Sequence, residues 1–398
     1  MNNGEDKKQS SISMILSLPR EIILDILSRL PIASLVPIKF LCRAGRTFSQ
    51  DPDLVRMHYS RIIHSDPSLV LHSDCPVRNQ IYCLDSSFSD EDNGVVKKID
   101  VPSTLPAFDL VASCNGLLCL CDSLHRSTLY VINPFTKDCI ELPRSTLCSE
   151  KSMFDDKVVF GFGYNPKSKE YKVIKIANHG GQYMCRVGFI PTNAEIEVLT
   201  IGSSTWRVVQ NLRCNFIKLS SPALINGRLH WITWQHGAAR KFLAFDIVSE
   251  QLHEIPKPDC DSFEKYNSHL VVLRGCLAAA SEQGKGGNII EIWVMRQYNV
   301  KESWIKEFSI GAYIPKALES ADDLSVRTSS FFLSKNQVRV LCNLKNEEIL
   351  LLYKCRALVS YDPKSGEFKD LMYQGMPNWF KAVVHVGSLN WIDHPVDV

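Results

Sequence analysis

The sequence predicts a mainly β protein in which a short N-terminal helical module precedes a β-propeller. Two observations predict this fold class. Apolar residues recur with a helical period up to about Phe48, whereas short strand-like runs separated by turn residues begin near Leu69. Similar groups of four such runs return every ~40–50 residues, which is typical of propeller blades. Six blades are favoured, with seven as the alternative. The expected domains are a disordered N-terminus at 1–13, the helical module at 14–60 and the propeller at 61–398.

Composition excludes several classes of protein. The 398 residues are 45% hydrophobic and 22% charged, with a formal net charge of +2, which is typical of a globular protein and lacks the basic stripe of a nucleic-acid binder. We find neither a signal-peptide core nor an apolar run of the ~18 residues that a membrane span needs. The sequence therefore predicts a cytoplasmic or nuclear protein with no membrane or nucleic-acid partner.

The 14 cysteines have irregular spacing and form no C-x-x-C pair. Zinc sites and disulfide frameworks both need regular ligand or pairing positions, so buried free thiols are expected instead. We predict no metal and no cofactor.

The helical module begins with an amphipathic helix. Its apolar residues recur every three or four positions, and they are Leu18, Ile22, Ile23, Ile26, Leu27 and Leu30. Pro19 suits the start of a helix, since its missing N–H has no partner there. Pro31 ends the helix because the residue before a proline avoids the α region.

A second helix is expected from Ser34, a good N-cap. One face would carry Leu35, Ile38, Leu41 and Cys42. Pro37 would fall in the first turn, where a proline is tolerated. About 35 residues rarely support a core alone, so the module either docks on a partner or caps the downstream domain.

The order and spacing of several short motifs in this module resemble the F-box. These motifs are Leu18-Pro19-x-Glu21, Ile26-Leu27, Arg29-Leu30-Pro31, Ser34-Leu35 and Leu41-Cys42-Arg43. The resemblance implies binding to the Skp-type adaptor of a cullin–RING ubiquitin ligase. It also implies the adaptor-binding residues, which are Leu18, Pro19, Ile22, Ile26, Leu27, Leu30, Pro31, Leu35, Ile38, Leu41 and Cys42.

Two residues depart from the family pattern. Gly45 stands where the family usually has tryptophan, and Pro37 where a basic or polar residue is common. A glycine there removes a large ring and weakens a helix by roughly 0.5–1 kcal/mol. Both departures are expected to affect the affinity for the adaptor.

The blade-like repeat is clearest in two units, each with an Asn-Gly hairpin turn between apolar runs. The turns are Asn115-Gly116 and Asn226-Gly227, and weaker echoes follow near residues 271–294, 338–368 and 383–392. We expect the last strands, at 383–392, to complete a blade begun by the runs at 69–71, 81–84 and 95–99. Such closure removes exposed sheet edges.

These units resemble the F-box-associated domain, a kelch-like domain of plant F-box proteins. The residues that carry the resemblance are Ser113–Leu117, Asn133-Pro134, Gly161–Tyr164, Tyr171–Val173 and Asn226-Gly227-x-Leu229-x-Trp231. The two resemblances cover nearly the whole chain. They imply a non-catalytic substrate-recognition subunit of an SCF-type ligase that tethers an unknown target protein.

Other candidate sites have structural explanations. Gly161-Phe162-Gly163 lacks the third glycine and the lysine of nucleotide loops, which favours a strand. A metal or ligand site is conceivable around His230, Trp231, Trp234 and His236. Strand alternation places His230 and Trp231 on opposite faces, which favours packing. We predict no catalytic residue.

Long irregular segments are the candidates for target binding, because loops on rigid scaffolds commonly carry recognition. They are residues 148–156, 180–194, 235–240, 259–268, 281–287 and 314–327. Two alternative functions stay open. One is an F-box scaffold that acts outside a ligase, and the other is a small-molecule enzyme or sensor built on the propeller.

Overall fold

The computed structural model describes most of the chain from Leu18 to Asn390. The described residues are 18–63, 65–73, 79–84, 96–101, 105, 107–123, 128–145, 158–179, 183–184, 188–189, 193–216, 222–234, 239–265, 267–283, 289–319 and 338–390. A helical module comes first, and a ring of antiparallel sheets follows it.

Five helices form the module. They are α1 (Arg20–Leu27), α2 (Ile32–Leu35), α3 (Ile38–Leu41), α4 (Arg43–Ser49) and α5 (Pro52–Ile62). As predicted, α1 begins directly after Pro19, and it ends ahead of Pro31. Asp51 caps α5, because its carboxylate accepts from the Asp53 N–H at 3.0 Å. The Asp51-Pro52 pair therefore starts a new helix.

The single second helix expected from Ser34 is wrong. Ser34 lies inside α2, whose N-cap is Pro31, and Pro37 caps the separate helix α3. Cys42 is extended, and its Sγ accepts from the Gly45 N–H at 3.2 Å to start α4. Two prolines and one extended residue thus divide the segment into three short helices.

Six sheets form the propeller, which confirms the predicted fold class and the favoured blade number. Each blade is numbered from its innermost strand outward. Blade 1 contains β27 (Lys381–His385), β1 (Ser68–Ser73), β2 (Gln80–Leu84) and β3 (Val96–Ile99). Blade 2 contains β4 (Phe108–Cys114), β5 (Leu117–Asp122), β6 (Leu129–Ile132) and β7 (Cys139–Glu141). Blade 3 contains β8 (Val158–Asn165), β9 (Glu170–His179), β12 (Asn193–Thr200) and β13 (Arg207–Leu212).

The other three blades follow the same up-and-down order. Blade 4 contains β14 (Asn215–Phe216), β15 (Ala223–Ile225), β16 (Arg228–Trp234), β17 (Phe242–Asp246) and β18 (Leu252–Ile255). Blade 5 contains β19 (Ser268–Leu273), β20 (Cys276–Gln283), β21 (Ile289–Met295) and β22 (Trp304–Ile310). Blade 6 contains β23 (Val338–Asn343), β24 (Ile349–Tyr353), β25 (Ala357–Tyr361) and β26 (Phe368–Leu371).

One short strand pair and three single-turn helices among the described residues lie outside this order. A two-stranded pair, β10 (Tyr183–Met184) and β11 (Gly188–Phe189), is inserted between β9 and β12. Beyond Ile63, the described helices are single turns, namely α6 (Ser262–Lys265), α7 (Lys316–Glu319) and a 3-10 turn at Lys301–Ser303. The absence of a long helix there agrees with the strand-like sequence pattern.

The ring closes through blade 1, as the sequence predicts. Strand β27, near the end of the chain, pairs with β1 in a register that sets Val383 against Val70. The remaining strands of that blade come from residues 80–99. Closure in this way joins the two ends of the propeller and leaves no open edge on the innermost strands.

Apolar clusters fill the spaces between neighbouring blades. Between blades 3 and 4, a Cβ at Gly161 would meet Leu229 and Trp231 side-chain atoms at 2.8 Å. A Cβ at Gly163 would meet Ile247 at 2.3 Å. Both positions need glycine for close blade packing, so the Gly161-Phe162-Gly163 motif is part of a strand, as predicted.

Candidate functional site

The helical module has a small core of its own. Buried side chains from three of its helices, α1, α2 and α5, meet there, and they are Leu24, Ile32, Leu35, Leu54 and Val55. One buried residue from the end of the propeller, Leu389, joins them, and Phe135 packs against the same cluster. The inward side of the module is therefore buried jointly by its own helices and by the propeller.

Close contacts seat the module on blade 2 and on the segment after β27. The Tyr59 hydroxyl lies 3.5 Å from Oδ1 of Asn115, in the Asn-Gly turn between β4 and β5. A Cβ at Gly387 would lie 2.7 Å from the Phe135 ring and 3.3 Å from Ile32. Asn133 donates to the carbonyl oxygens of residues 388 and 390 at 3.0 and 2.9 Å. The resemblance motif at Asn133 thus anchors the segment that supports the module.

The outward side of α1 is apolar but exposed. Leu18, Ile22 and Ile26 lie one turn apart and are 39%, 48% and 44% exposed. Ile23 and Leu24 on the opposite side are 4% and 2% exposed. Helix α1 therefore has two apolar faces, and only one of them is covered by this chain.

A second exposed apolar group lies on α3. Phe40 and Leu41 are 74% and 69% exposed. Six of the twelve exposed large apolar side chains in the described part of the chain lie between Leu18 and Ile63. This density on so short a segment marks an interaction surface. We call Leu18, Ile22, Ile26, Phe40 and Leu41 the outer face.

Ion pairs hold α1 against α5 beside this face. Arg20 bridges Asp51 and Asp53 at 2.8 and 2.7 Å. Asp25 accepts from Arg29 at 3.0 Å and from Arg61 at 2.5 Å. These hydrogen bonds lower the pKa of both Asp25 and Asp53. The pairs are exposed and contribute little stability, but they fix the angle at which α1 presents its apolar side chains.

The predicted adaptor-binding residues separate into three groups by exposure. The exposed ones are Leu18, Pro19, Ile22, Ile26, Pro31 and Leu41. Those that are partly buried are Leu27, Leu30, Ile38 and Cys42. Leu35 is 1% exposed and belongs to the core of the module. Leu35 therefore supports the module from inside, and it does not share a face with Leu41.

Sequence reasoning missed Phe40. This residue lies on a one-turn helix, where no periodic pattern exists to separate a buried from an exposed position. The sequence signal that could have found Phe40 is the pair of helix boundaries at Pro37 and Cys42, which limit this helix to a single turn.

Gly45 has a packing role that the sequence pattern did not predict. It lies buried in α4, where a Cβ would be 2.3 Å from the carbonyl oxygen of Ile38 and 3.1 Å from its side chain. The glycine lets α3 and α4 approach each other closely. A larger residue would force these helices apart and would reorient Phe40 and Leu41.

The six long connections predicted to bind a target join strand ends that lie away from the module. In an up-and-down blade, the first and third turns share one end and the remaining connections share the other. The module enters β1, the second strand of blade 1, at the short-turn end, where Asn115 contacts Tyr59.

The six segments predicted to bind a target follow the second or the fourth strand of a blade. The described strands on either side of these segments therefore have their adjoining ends opposite the module. Segment 148–156 lies outside the described residues, and the other five are described only in part.

The cluster around His230 is structural packing. His230 is buried, with Nδ1 2.9 Å from the Ala223 carbonyl and Nε2 2.7 Å from the Tyr298 hydroxyl. Burial lowers its pKa to about 4, which keeps the ring neutral. Trp231 faces a different cluster, as strand alternation predicts. His236 and the Trp234 side chain lie outside the described residues.

The described residues contain no group of three or more His, Cys, Asp or Glu side chains arranged to hold a metal ion. They also contain no helix that is long and apolar enough to cross a membrane. Eleven described cysteines are free thiols, and burial raises the pKa of Cys114 to about 12.

Two family models match separate parts of the chain. The F-box domain matches residues 15–56. The F-box associated beta propeller domain matches residues 74–394. The two matched regions correspond to the helical module and to the ring of six sheets.

Curated plant proteins resemble the chain over most of its length. The F-box protein At3g07870 of Arabidopsis thaliana is 44% identical over 96% of this chain and 94% of its own. The F-box protein CPR1 of the same plant is 24% identical over 94% and 88%. Among solved structures, TolB from Acinetobacter baumannii covers 82% of this chain and 71% of its own, with 10% identity and a TM-score of 0.43. A likeness at that score carries no conclusion about activity.

Proposed function

The chain belongs to the F-box proteins that carry an F-box associated β-propeller domain, and we propose that it is the substrate-recognition adaptor of an SCF-type E3 ubiquitin ligase. Its helical module would bind the Skp-type adaptor, and its propeller would hold a target protein for ubiquitination. The observation that carries this proposal is the outer face, an exposed apolar surface on a module whose inward side is already filled.

The outer face supports docking on energetic grounds. Each large apolar side chain that becomes buried contributes roughly 1.5–3 kcal/mol. Burial of Ile22, Ile26 and Leu41 in a groove of the adaptor would therefore supply much of a stable complex. The partly buried Leu27, Leu30, Ile38 and Cys42 would line the edges of this contact, with Pro19 and Pro31 at the helix ends.

We assign the target to the end of the propeller that carries the long connections. A target held there would leave the module free for the adaptor, since the two surfaces lie at opposite strand ends. Tethering then raises the local concentration of target lysines near the ubiquitin-loaded enzyme. Catalysis belongs to other subunits, and we assign no catalytic residue, metal or cofactor to this chain. The complex would act in the cytoplasm or the nucleus.

Capture of the full chain by a plant Skp-type adaptor tests the proposal. We expect Ile22→Asp with Ile26→Asp to lower the affinity for the adaptor by about 100-fold or more, because two carboxylates would be desolvated in an apolar contact. The matched control is Ile305→Asp, which places the same charge on an exposed isoleucine of β22 (53% exposed). Equal capture of the double variant and the wild type would contradict the proposal.

Leu35 needs separate treatment in such an experiment. Because Leu35 lies in the core of the module, Leu35→Ala would lower adaptor binding by unfolding the module. Circular dichroism of each variant separates loss of fold from loss of contact. An F-box scaffold outside a ligase would bind the adaptor and the target yet leave the half-life of the target unchanged.

A further inference from the structure

Two arginines of blade 6 lie partly buried without an anionic partner. Arg339 is the second residue of β23, and Arg356 lies in the turn between β24 and β25. Within the described residues, neither guanidinium forms a hydrogen bond or an ion pair, and the Nε atom of each is buried without a partner. Removing a cation from water without a compensating partner costs free energy, so these two groups make folding less favourable.

Other partly buried arginines of the propeller do have partners. Arg228 pairs with Asp246 at 2.9 Å. Arg240 donates to the carbonyl oxygen of Phe263 at 3.0 Å. The ordinary arrangement in this fold is therefore a satisfied guanidinium, and Arg339 and Arg356 are exceptions to it.

Three segments bring the two arginines to one corner between blades 6 and 1. Arg339 pairs with Leu352 in the sheet, near the end of β24, and the turn that follows β24 contains Cys355 and Arg356. The Phe380 N–H donates to the Cys355 carbonyl at 2.8 Å. The guanidinium carbon of Arg356 lies 4.7 Å from the centre of the Trp379 ring. This corner is at the strand ends that carry the long connections.

The local chemistry suits an anion. The cation–π contact with Trp379 uses none of the N–H donors of Arg356 as hydrogen bonds, so the fork of donors stays available for a carboxylate or a phosphate. The surrounding segments, residues 351–358 and 372–381, contain no acidic residue. Lys354, in the same turn, is exposed and adds positive charge. Neither segment therefore carries an acidic side chain that could neutralise the arginines.

We propose that Arg339, Arg356 and Trp379 form an anion-binding site that receives a carboxylate or phosphate group from a segment of another protein. That this protein is a target for degradation rests on the proposed function, whereas the anion site does not. A bound anionic group would pair with both guanidinium groups. This pairing would make the site selective for an acidic or phosphorylated segment.

Binding of three degenerate peptide pools to the full chain tests the site. The pools share randomised flanks and differ only at a fixed central position, which is phosphoserine, glutamate or glutamine. We expect the anionic pools to bind about tenfold more tightly than the glutamine pool, and the stronger of the two identifies the source of the anion. Equal binding of all three pools, or tighter binding of a single-stranded RNA pool, would overturn the proposal.

Variants locate the binding within the chain. Arg356→Gln and Arg339→Gln are each expected to lower the affinity for the preferred anionic pool about tenfold. The control Arg213→Gln removes the same charge from an exposed arginine that follows β13 and is expected to leave the affinity unchanged. If all three variants lose affinity equally, general electrostatic attraction explains the binding and the site is excluded.

Thermal unfolding of Arg339→Met separates recognition from a structural role. Methionine keeps an apolar side chain and removes the unpaired charge, so the unfolding temperature should rise while anion binding falls. A fall in the unfolding temperature would show that Arg339 stabilises the fold and would overturn its assignment to the site. Capture by the Skp-type adaptor is measured on the same preparations, so loss of the module and loss of the anion site are distinguished.

Discussion

In the propeller, the buried apolar side chains face a neighbouring blade and the exposed ones are scattered along the chain, whereas the short helical module has both a buried and an exposed apolar side. Leu351 in blade 6 and Leu24 in α1 are 0% and 2% exposed, yet Ile22, two positions before Leu24, is 48% exposed. A closed ring of sheets covers each blade with the next one. A module of about 45 residues has one inward side only, and its second apolar face therefore needs another protein.

The largest expected difference between the two regions is in stability. Leu351→Ala should lower the free energy of unfolding by about 2–5 kcal/mol, because it leaves a cavity between blades. Ile22→Ala should change it by no more than about 0.5 kcal/mol, since the side chain is exposed in the free protein. Urea denaturation of both variants measures this contrast. Similar losses for the two would mean that the outer face is already covered.

The next effect concerns the internal packing of the module. Gly45→Ala should destabilise the protein by about 1–3 kcal/mol, because the added methyl group meets the Ile38 carbonyl oxygen. The same substitution at Gly311, where a Cβ would have nothing within 4 Å, serves as the control. Urea denaturation compares the two variants. A stabilised Gly45→Ala variant would show that α3 and α4 do not need their close approach.

A smaller effect is a pH dependence that comes mainly from the propeller. Burial lowers the pKa of His230 and His385 to about 4 and that of His269 to about 3, from 6.5. All three belong to the propeller, and in the module burial also lowers the pKa of His58 in α5. The unfolded chain therefore takes up protons first as the pH falls, and the stability present above pH 6.5 is lost progressively toward pH 4. Each histidine contributes a loss of about 1.4 kcal/mol per pH unit within that range.

Denaturation over a pH series measures this slope. His230→Gln should flatten it by the contribution of one histidine, whereas the control His253→Gln, at an exposed position of β18, should leave it unchanged. A slope that is identical in the His230 variant and the wild type would contradict a neutral, buried His230.

Sequence patterns predicted those features that depend on neighbours along the chain. The period of α1 and the Asn-Gly turns follow from local residue order, and the closure of blade 1 follows from the repeat of strand-like runs along the chain. The start of a second helix at Ser34 was wrong, because Pro31 begins the backbone turn three residues earlier. Local propensity of a serine could not reveal which of two nearby residues caps the helix.

Features that depend on distance in space were not predictable. Leu35 and Leu41 are leucines of the same short segment, yet Leu35 is buried and Leu41 is exposed. The extended conformation of Cys42 and the close approach at Gly45 decide this difference. In the same way, the lack of a partner for Arg339 becomes visible only when the blades assemble, since any acidic residue of the chain was a potential partner.

Hydrogen–deuterium exchange of the chain with and without the Skp-type adaptor tests the central claim most directly. The account predicts slower exchange at residues 18–27 and 38–42 in the complex, with unchanged exchange in the six blades. Protection confined to the propeller, with exchange in α1 and α3 unaffected, would contradict it.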